Sequence, residues 1–307
     1  MKAYRSLERN PATGQALLTF NPLKALNSTN PMSLPCGNCI GCRIDRADQW
    51  ATRCMHEAQM HKQSSFITLT YSDEHLPENY SVSKREFQLF MKRLRKDLGS
   101  QVRYFASAEY GPRTLRPHYH ALIFGHAFYS DRQFKKLNKH GDRTYTSPTL
   151  DRAWPFGLSD LGDVTHKSAR YVAGYIMKKI RGDQAASHYL RTHPKTRQLV
   201  QVEPEFQLQS TKPGIGSTWF DKYKNDAFPS DFLVVEGRQT HVPRYYFNKL
   251  QEEERLAIER TRAKQPWKDP RAHRERKYNS TPERLRVREA VQASRLQKLN
   301  RDNIEEE

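Results

Sequence analysis

The chain has 307 residues and carries 52 Lys and Arg against 34 Asp and Glu, a formal net charge of +18. An excess of that size points to a polyanionic partner, nucleic acid first, since solubilising surfaces of small domains usually carry roughly 2–8 net charges. No run approaches the roughly 18 apolar residues of a membrane helix, and Met1-Lys2-Ala3-Tyr4-Arg5 has no apolar core for a secretory signal, so a cytoplasmic setting is expected.

Residues 1–35 are rich in turn pairs (Asn10-Pro11, Asn21-Pro22, Asn30-Pro31, Leu34-Pro35) and read as loops with at most short strands. Cys36, Cys39 and Cys42 follow at x2 spacing, with Cys54 further on. Arg43 to Lys62 has near-helical apolar spacing. Phe66–Tyr71 is β-branched and aromatic, a strand. Ser83-Lys-Arg-Glu86 reads as a capping box, ahead of the apolar positions Phe87, Phe90, Met91, Leu94 and Leu98 of an amphipathic helix.

Val102 to Ala108 reads as a strand, turned by Glu109-Tyr-Gly-Pro112 into a second strand that holds His118 and His120. Residues 126–165 are expected to be loop-rich, with a short helix near Asp131–Leu137. Thr165 or Ser168 can cap a helix running to about Ile180. Leu199–Val202 and Glu205–Gln209 look strand-like. Pro213-Gly-Ile-Gly216 is a turn, Ser217 a cap for a short helix through Tyr223, and Phe232–Val242 a hairpin. The text after Phe247 is dense in both charges. The expected layout is a loop region and Cys-rich module over 1–62, a catalytic domain over 63–246, and a charged helical or partly disordered tail over 247–307, in an α+β fold.

Side chains alternate faces along a strand, so His118 and His120 point the same way and Tyr119 the other way. Two imidazoles on one face of a rigid strand make a pincer for a divalent metal. A carboxylate would complete a three-ligand site suited to Mg2+ or Mn2+. Glu109 is the first choice, because the turn can fold it back beside the pincer. Asp73 and Glu74 are poorer alternatives.

Tyr171 and Tyr175 lie four residues apart and share a helix face. Lys178 follows at i+3 from Tyr175. A nearby ammonium and a metal-bound phosphate would lower the cost of phenolate character in a tyrosine nucleophile. A pair of core aromatics gives the same spacing. Cys36, Cys39, Cys42 and Cys54 could hold a tetrahedral structural Zn2+, with His56 or His61 able to replace Cys54; an iron–sulfur cluster also suits close cysteines.

Taken in order, Phe66-Ile-Thr-Leu-Thr-Tyr71, His118-Tyr-His120 and Tyr171-Val-Ala-Gly-Tyr175 resemble the three motifs of HUH rolling-circle replication initiators. Pro35-Cys-Gly-Asn-Cys-Ile-Gly-Cys42-Arg43, Phe90-Met-Lys-Arg-Leu94 and Pro213-Gly-Ile-Gly216 are similar, more narrowly, to initiators of gokushovirus-type microviruses. The resemblance covers roughly residues 35–245. It implies the HUH endonuclease fold, a central antiparallel sheet flanked by helices, with histidines on a middle strand and the tyrosines on a nearby helix. It implies a metal-dependent endonuclease and strand transferase in the bacterial host cytoplasm. Such an enzyme nicks the viral replicative DNA at its origin through a 5′-phosphotyrosine, primes replication and rejoins the displaced strand. On that reading Tyr175 attacks first, Tyr171 serves the return step and Lys178 positions the phosphate. No Gly-x4-Gly-Lys-Ser/Thr motif is present, so a host helicase and DNA polymerase are expected partners. The alternatives are a non-catalytic single-strand binding or packaging protein, and a related relaxase or transposase.

Overall fold

The computed structural model describes residues 2–9, 11, 16–29, 32–111, 114–138, 141–175, 179–180, 182–193, 195–268 and 270–304. The chain divides into two compact units, Met1–Arg43 and Ile44–Glu307. In the first, β1 (Lys2–Arg9), β2 (Ala16–Thr19) and β3 (Met32–Ser33) form an antiparallel sheet in the order β2-β1-β3. The expectation of loops through residue 35 is corrected here. β1 has eight residues but buries only Ala3, Tyr4 and Ser6. A strand held mainly by its backbone ladder leaves little apolar alternation in the sequence.

α1 (Ile40–Gln59) leads into the second unit. There follow β4 (Ser64–Tyr71), α2 (Lys84–Leu98), β5 (Arg103–Tyr110), β6 (Pro117–Phe124), β7 (Gln133–Leu137), β8 (Arg143–Thr146), α3 (Pro148–Ala153), β9 (Gly157–Asp163) and α4 (His166–Gly174). Next come α5 (Gln184–His188), β10 (Leu190–Thr192), β11 (Leu199–Gln201), β12 (Phe206–Gln209), α6 (Ser217–Ala227), β13 (Phe232–Val235) and β14 (Arg238–His241). The C-terminal text forms α7 (Arg244–Lys249), α8 (Glu252–Lys268), α9 (Pro270–Tyr278) and α10 (Pro282–Ile304).

The main sheet has seven strands in the order β12-β5-β6-β4-β9-β8-β7, each pair antiparallel. Period-two alternation divides its side chains into two layers. Ile67, Leu69 and Tyr71 of β4 pack with Ala106 and Ala108 of β5, Tyr119 and Ile123 of β6, and Phe87, Phe90 and Leu94 of α2. Phe105 of β5 and Leu122 and Phe124 of β6 pack on the opposite face against Ala47 and Ala51 of α1 and Ala169, Val172 and Ala173 of α4. The small residues of α1 and α4 let both helices approach the sheet closely. Gly157 opens β9 beside β4, where a Cβ would collide with the backbone of Thr70 and Ser72.

A third cluster joins Trp219 and Phe220 of α6, Tyr246 of α7, Leu250 and Ile258 of α8. The start of the charged C-terminal segment is therefore packed into the unit.

Local capping follows the sequence in part. The Ser83 hydroxyl accepts from the Glu86 N–H at 3.2 Å, and Gly99 ends α2 in the left-handed region. Thr165 and Ser168 form a reciprocal capping box on α4. Two expectations are corrected. The segment near Asp131–Leu137 is no helix: Gln133–Leu137 pairs with Arg143–Thr146 in a bulged hairpin. Asp131 instead accepts from Ser147 Oγ and Thr149 N, both at 2.8 Å, and so anchors the start of α3. The cap of α6 is Gly216, left-handed at φ 77°, with Ser217 one position inside. α4 ends at Gly174, and the expected continuation over 176–178 lies outside the described residues.

Candidate active site

β6 lies between β4 and β5, so both strands contribute to the face that carries its histidines. His118 stands opposite Thr70 on β4 and Glu109 on β5; His120 stands opposite Thr68 and Ser107. These residues share one face of the sheet, beyond the apolar patch that receives α1 and α4. The turn after β5 returns the chain so that Glu109, inside β5, meets the pincer as the sequence suggested.

Each imidazole is held by a threonine. The Thr70 hydroxyl lies 2.9 Å from His118 Nδ1, and the Thr68 hydroxyl 3.0 Å from His120 Nδ1. A hydroxyl that accepts from Nδ1–H leaves Nε2 with its lone pair toward the site, the role outer partners play for metal-binding histidines. His120 Nε2 lies 2.8 Å from Glu109 Oε1, and both residues are buried. That distance is near the roughly 3 Å between neighbouring ligand atoms of an octahedral cation with bonds of about 2.1 Å. The donor set, two imidazoles and one carboxylate on rigid strands, therefore fits Mg2+ or Mn2+. Asp73, the alternative carboxylate, is instead paired with Arg116.

α4 delivers the tyrosines. Its apolar face is seated on the sheet, and the Ser107 hydroxyl donates to Val172 O at 2.9 Å, pinning the helix to β5 between the site residues. Tyr175 stacks on His120 with ring centroids 4.8 Å apart, and Tyr171 meets the same imidazole edge-on at 5.2 Å. The two tyrosine rings lie 4.8 Å apart. Tyr175 is 5% exposed and Tyr171 half-buried. Burial holds the Tyr175 phenol well above its usual range; the Glu109 charge and hydrogen bonds to Tyr171 and Glu109 push the same way. Lys178 lies outside the described residues.

The structure thus brings together His118, His120, Glu109, Tyr171 and Tyr175. Sequence reasoning missed Thr68, Thr70 and Ser107 as supports. Their signal was present: hydroxyl residues at alternate strand positions, on the layer opposite Ile67, Leu69 and Tyr71.

The cysteines form a separate site in the first unit. Cys36, Cys39 and Cys42 have sulfurs within 4.8 Å of one another, the single such group of potential metal ligands among the described residues. Hydrogen bonds from the backbone of Cys39 and Asn38 lower the Cys36 thiol to about 6, which favours the thiolate a metal needs. Three soft donors at this spacing fit Zn2+. The expected fourth ligand is not among them. Cys54 is wholly buried in the apolar cluster of the second unit, and burial pushes its thiol well up. The two histidines considered in its place have other partners: His56 bonds Tyr246 at 3.0 Å and stacks on Trp219, and His61 pairs with Glu57.

The family model for replication-associated protein ORF2 matches residues 64–180, the segment from β4 past α4 that carries every residue of the sheet site. The chain is 34% identical over 245 residues to replication-associated protein VP4 of Bdellovibrio phage phiMH2K, covering 76% of this chain and 72% of that protein. It is 31% identical over 234 residues to replication-associated protein ORF2 of Spiroplasma virus 4, covering 72% and 68%. Replication-associated protein ORF4 of Chlamydia phage 1 is 27% identical over 222 residues, covering 69% and 52%. No solved structure matches the chain. The fold and site therefore sit in a replication-associated protein. More narrowly, the chain belongs to the replication-associated proteins of small phages, whose members include that of the microvirus phiMH2K.

No helix among the described residues is long and apolar enough to cross a membrane.

Proposed function

We propose that this protein is a rolling-circle replication initiator of the HUH type, a metal-dependent DNA endonuclease and strand transferase that uses tyrosine as nucleophile. The observation that carries the reading is the packing of both α4 tyrosines on His120, beside the carboxylate of Glu109. His118, His120 and Glu109 would hold Mg2+ or Mn2+. When bound, such a cation withdraws charge from the phosphate oxygens and offsets the Glu109 charge that holds the Tyr175 phenol up.

The chain's own residues do the rest. Thr68 and Thr70 fix the imidazoles. Tyr175 donates its hydroxyl proton toward Glu109 and is the first nucleophile. Its oxygen attacks phosphorus, the P–O3′ bond breaks, and the 3′ oxygen leaves as a protonated hydroxyl. The 5′ phosphate stays joined to tyrosine, so the bond energy is retained and no ATP is consumed. Tyr171, half-buried beside it, makes the second cleavage, and attack by a free 3′-OH releases the strand as a closed circle. Lys178 positions the phosphate. The Cys36-Cys39-Cys42 group binds a structural Zn2+. Host helicase and polymerase act on the nicked origin in the bacterial cytoplasm.

Incubation with single-stranded origin DNA and Mn2+ tests this reading. The expected result is a denaturation-resistant protein–DNA adduct that needs the cation and is lost when Tyr171 and Tyr175 are both changed to Phe. DNA binding without an adduct would favour the non-catalytic binding protein.

A further inference from the structure

The face of the main sheet opposite the histidines holds a cavity of about 630 Å3, within the size range of pockets that enclose small ligands. Tyr71, His75 and Phe156 give it aromatic walls; Asn79, Lys84 and Glu86 contribute polar groups. Phe156 lies 6.3 Å from Tyr71 and 6.0 Å from His75 between ring centroids. Glu86, in the first turn of α2, has a buried carboxylate oxygen, Oε2, with no hydrogen-bond partner among the described residues. A buried acceptor left unpaired costs roughly 1–3 kcal/mol, more when charged, so it marks a place for a donor.

We propose that this cavity is a recognition pocket for one unpaired guanine of the DNA strand. Aromatic walls suit a base, because every base offers a π-face and stacking tolerates the rest of the strand. The Watson–Crick edge is free in a single strand. Guanine alone among the four bases presents two adjacent N–H donors there, at N1 and N2, which match a carboxylate; cytosine and adenine offer their amino group beside a ring acceptor that repels it. Lys84 at the same cavity supplies a cation for the phosphate.

Position selects DNA as the polymer. Tyr71 lines the cavity, and its neighbour Thr70 holds His118 on the other face of β4. Pocket and metal pincer thus lie at the same end of one strand, back to back. A strand passing over that end can place a guanine in one while a phosphate a few nucleotides away reaches the other. The inference rests on the DNA-processing reading for the identity of the polymer, but concerns a separate cavity and needs no chemistry.

The test is equilibrium binding of the full chain to fluorescent eight-nucleotide oligothymidylates in EDTA, where cleavage plays no part. One central position carries guanine, hypoxanthine, adenine or cytosine. The expected order is guanine tightest by at least about tenfold over adenine and cytosine, a discrimination worth about 1.4 kcal/mol, with hypoxanthine, which lacks the 2-amino group, between them. Glu86→Gln should remove the guanine preference while leaving oligothymidylate binding within about twofold. His75→Ala, at the exposed rim, should weaken all four oligonucleotides alike by a few fold. Equal binding of all four bases, or a guanine preference that survives Glu86→Gln, would overturn the pocket. Adduct formation by the same preparation on Mn2+ addition reports separately on the tyrosine chemistry, so either reading can fail alone.

Discussion

The two faces of the seven-stranded sheet are built from alternate residues of the same three strands, yet they do different work. On one, Ile67, Leu69, Tyr119 and Ile123 are almost wholly buried against α2. On the other, Thr68, Thr70, Ser107, Glu109, His118 and His120 place hydroxyl, carboxylate and imidazole groups beside two tyrosines. The contrast teaches that the packed face gives the polar face its precision. A one-residue slip would exchange the layers, so register is strongly specified by burial, and the imidazoles inherit that fixed register. Tyr119, between the two histidines, shows the coupling: its hydroxyl accepts from Ser83 N at 2.8 Å and tethers β6 to the start of α2.

Substitutions can separate the faces, beginning with the largest effect. Replacing both Tyr171 and Tyr175 by Phe should eliminate the covalent adduct while leaving the melting temperature and oligonucleotide affinity close to those of the parent. Tyr175→Phe alone should abolish the first cleavage and Tyr171→Phe only the return step, read by separate assays of nicking and circle closure.

On the packed face the effect should be reversed in kind. Leu69→Ala should cost about 3 kcal/mol of unfolding free energy, measured by denaturant titration, and should lower activity only through loss of folded protein. If Leu69→Ala instead changed metal affinity at full folding, the division between the faces would be wrong.

Acid should act far from either face. Burial of His56 between Trp219 and Tyr246 lowers its pKa to about 4. The unfolded chain then binds this proton first, near the free histidine value of about 6.5. Its stabilising contribution is full above that value and is lost as pH falls toward 4. At 1.36 kcal/mol per pH unit the loss is about 3 kcal/mol. Urea titrations at pH 7 and 4.5 should show it, and His56→Gln should flatten that part of the profile.

The smallest effect sharpens the comparison most. Thr68→Val or Thr70→Val removes a hydroxyl from an imidazole while keeping the shape of the strand. Each should weaken Mn2+ binding roughly 10–100-fold with little change in stability, as followed by calorimetry of the cation alone.

Much of this arrangement is legible in the sequence where one physical signal dominates. The amphipathic spacing of Phe87, Phe90, Met91 and Leu94 marks α2, and strand alternation sets His118 and His120 on one face. Glu109 was reachable because a short turn brings adjacent strands into pairing. The hairpin of β7 and β8 was not: its Gln133–Leu137 strand is exposed throughout, so no buried side recorded its period. The first-unit strands were hidden for the same reason. Cys54 misled because spacing along the chain says nothing of direction, and its helix position turns it into the core. The cavity at Glu86 is a product of packing among α2, β4 and the Phe156 turn, which no local pattern encodes.

The central claim is that the polar face and the α4 tyrosines form one nicking centre. Its most direct test is mass mapping of the protein after reaction with single-stranded origin DNA and Mn2+, followed by nuclease trimming. The account predicts a nucleotide attached to the peptide containing Tyr171 and Tyr175, on Tyr175 in the first turnover, and no attachment when His118 and His120 are replaced by Ala. A nucleotide on any residue outside α4 and its C-terminal Tyr175, or an adduct that forms undiminished without the two histidines, would contradict it.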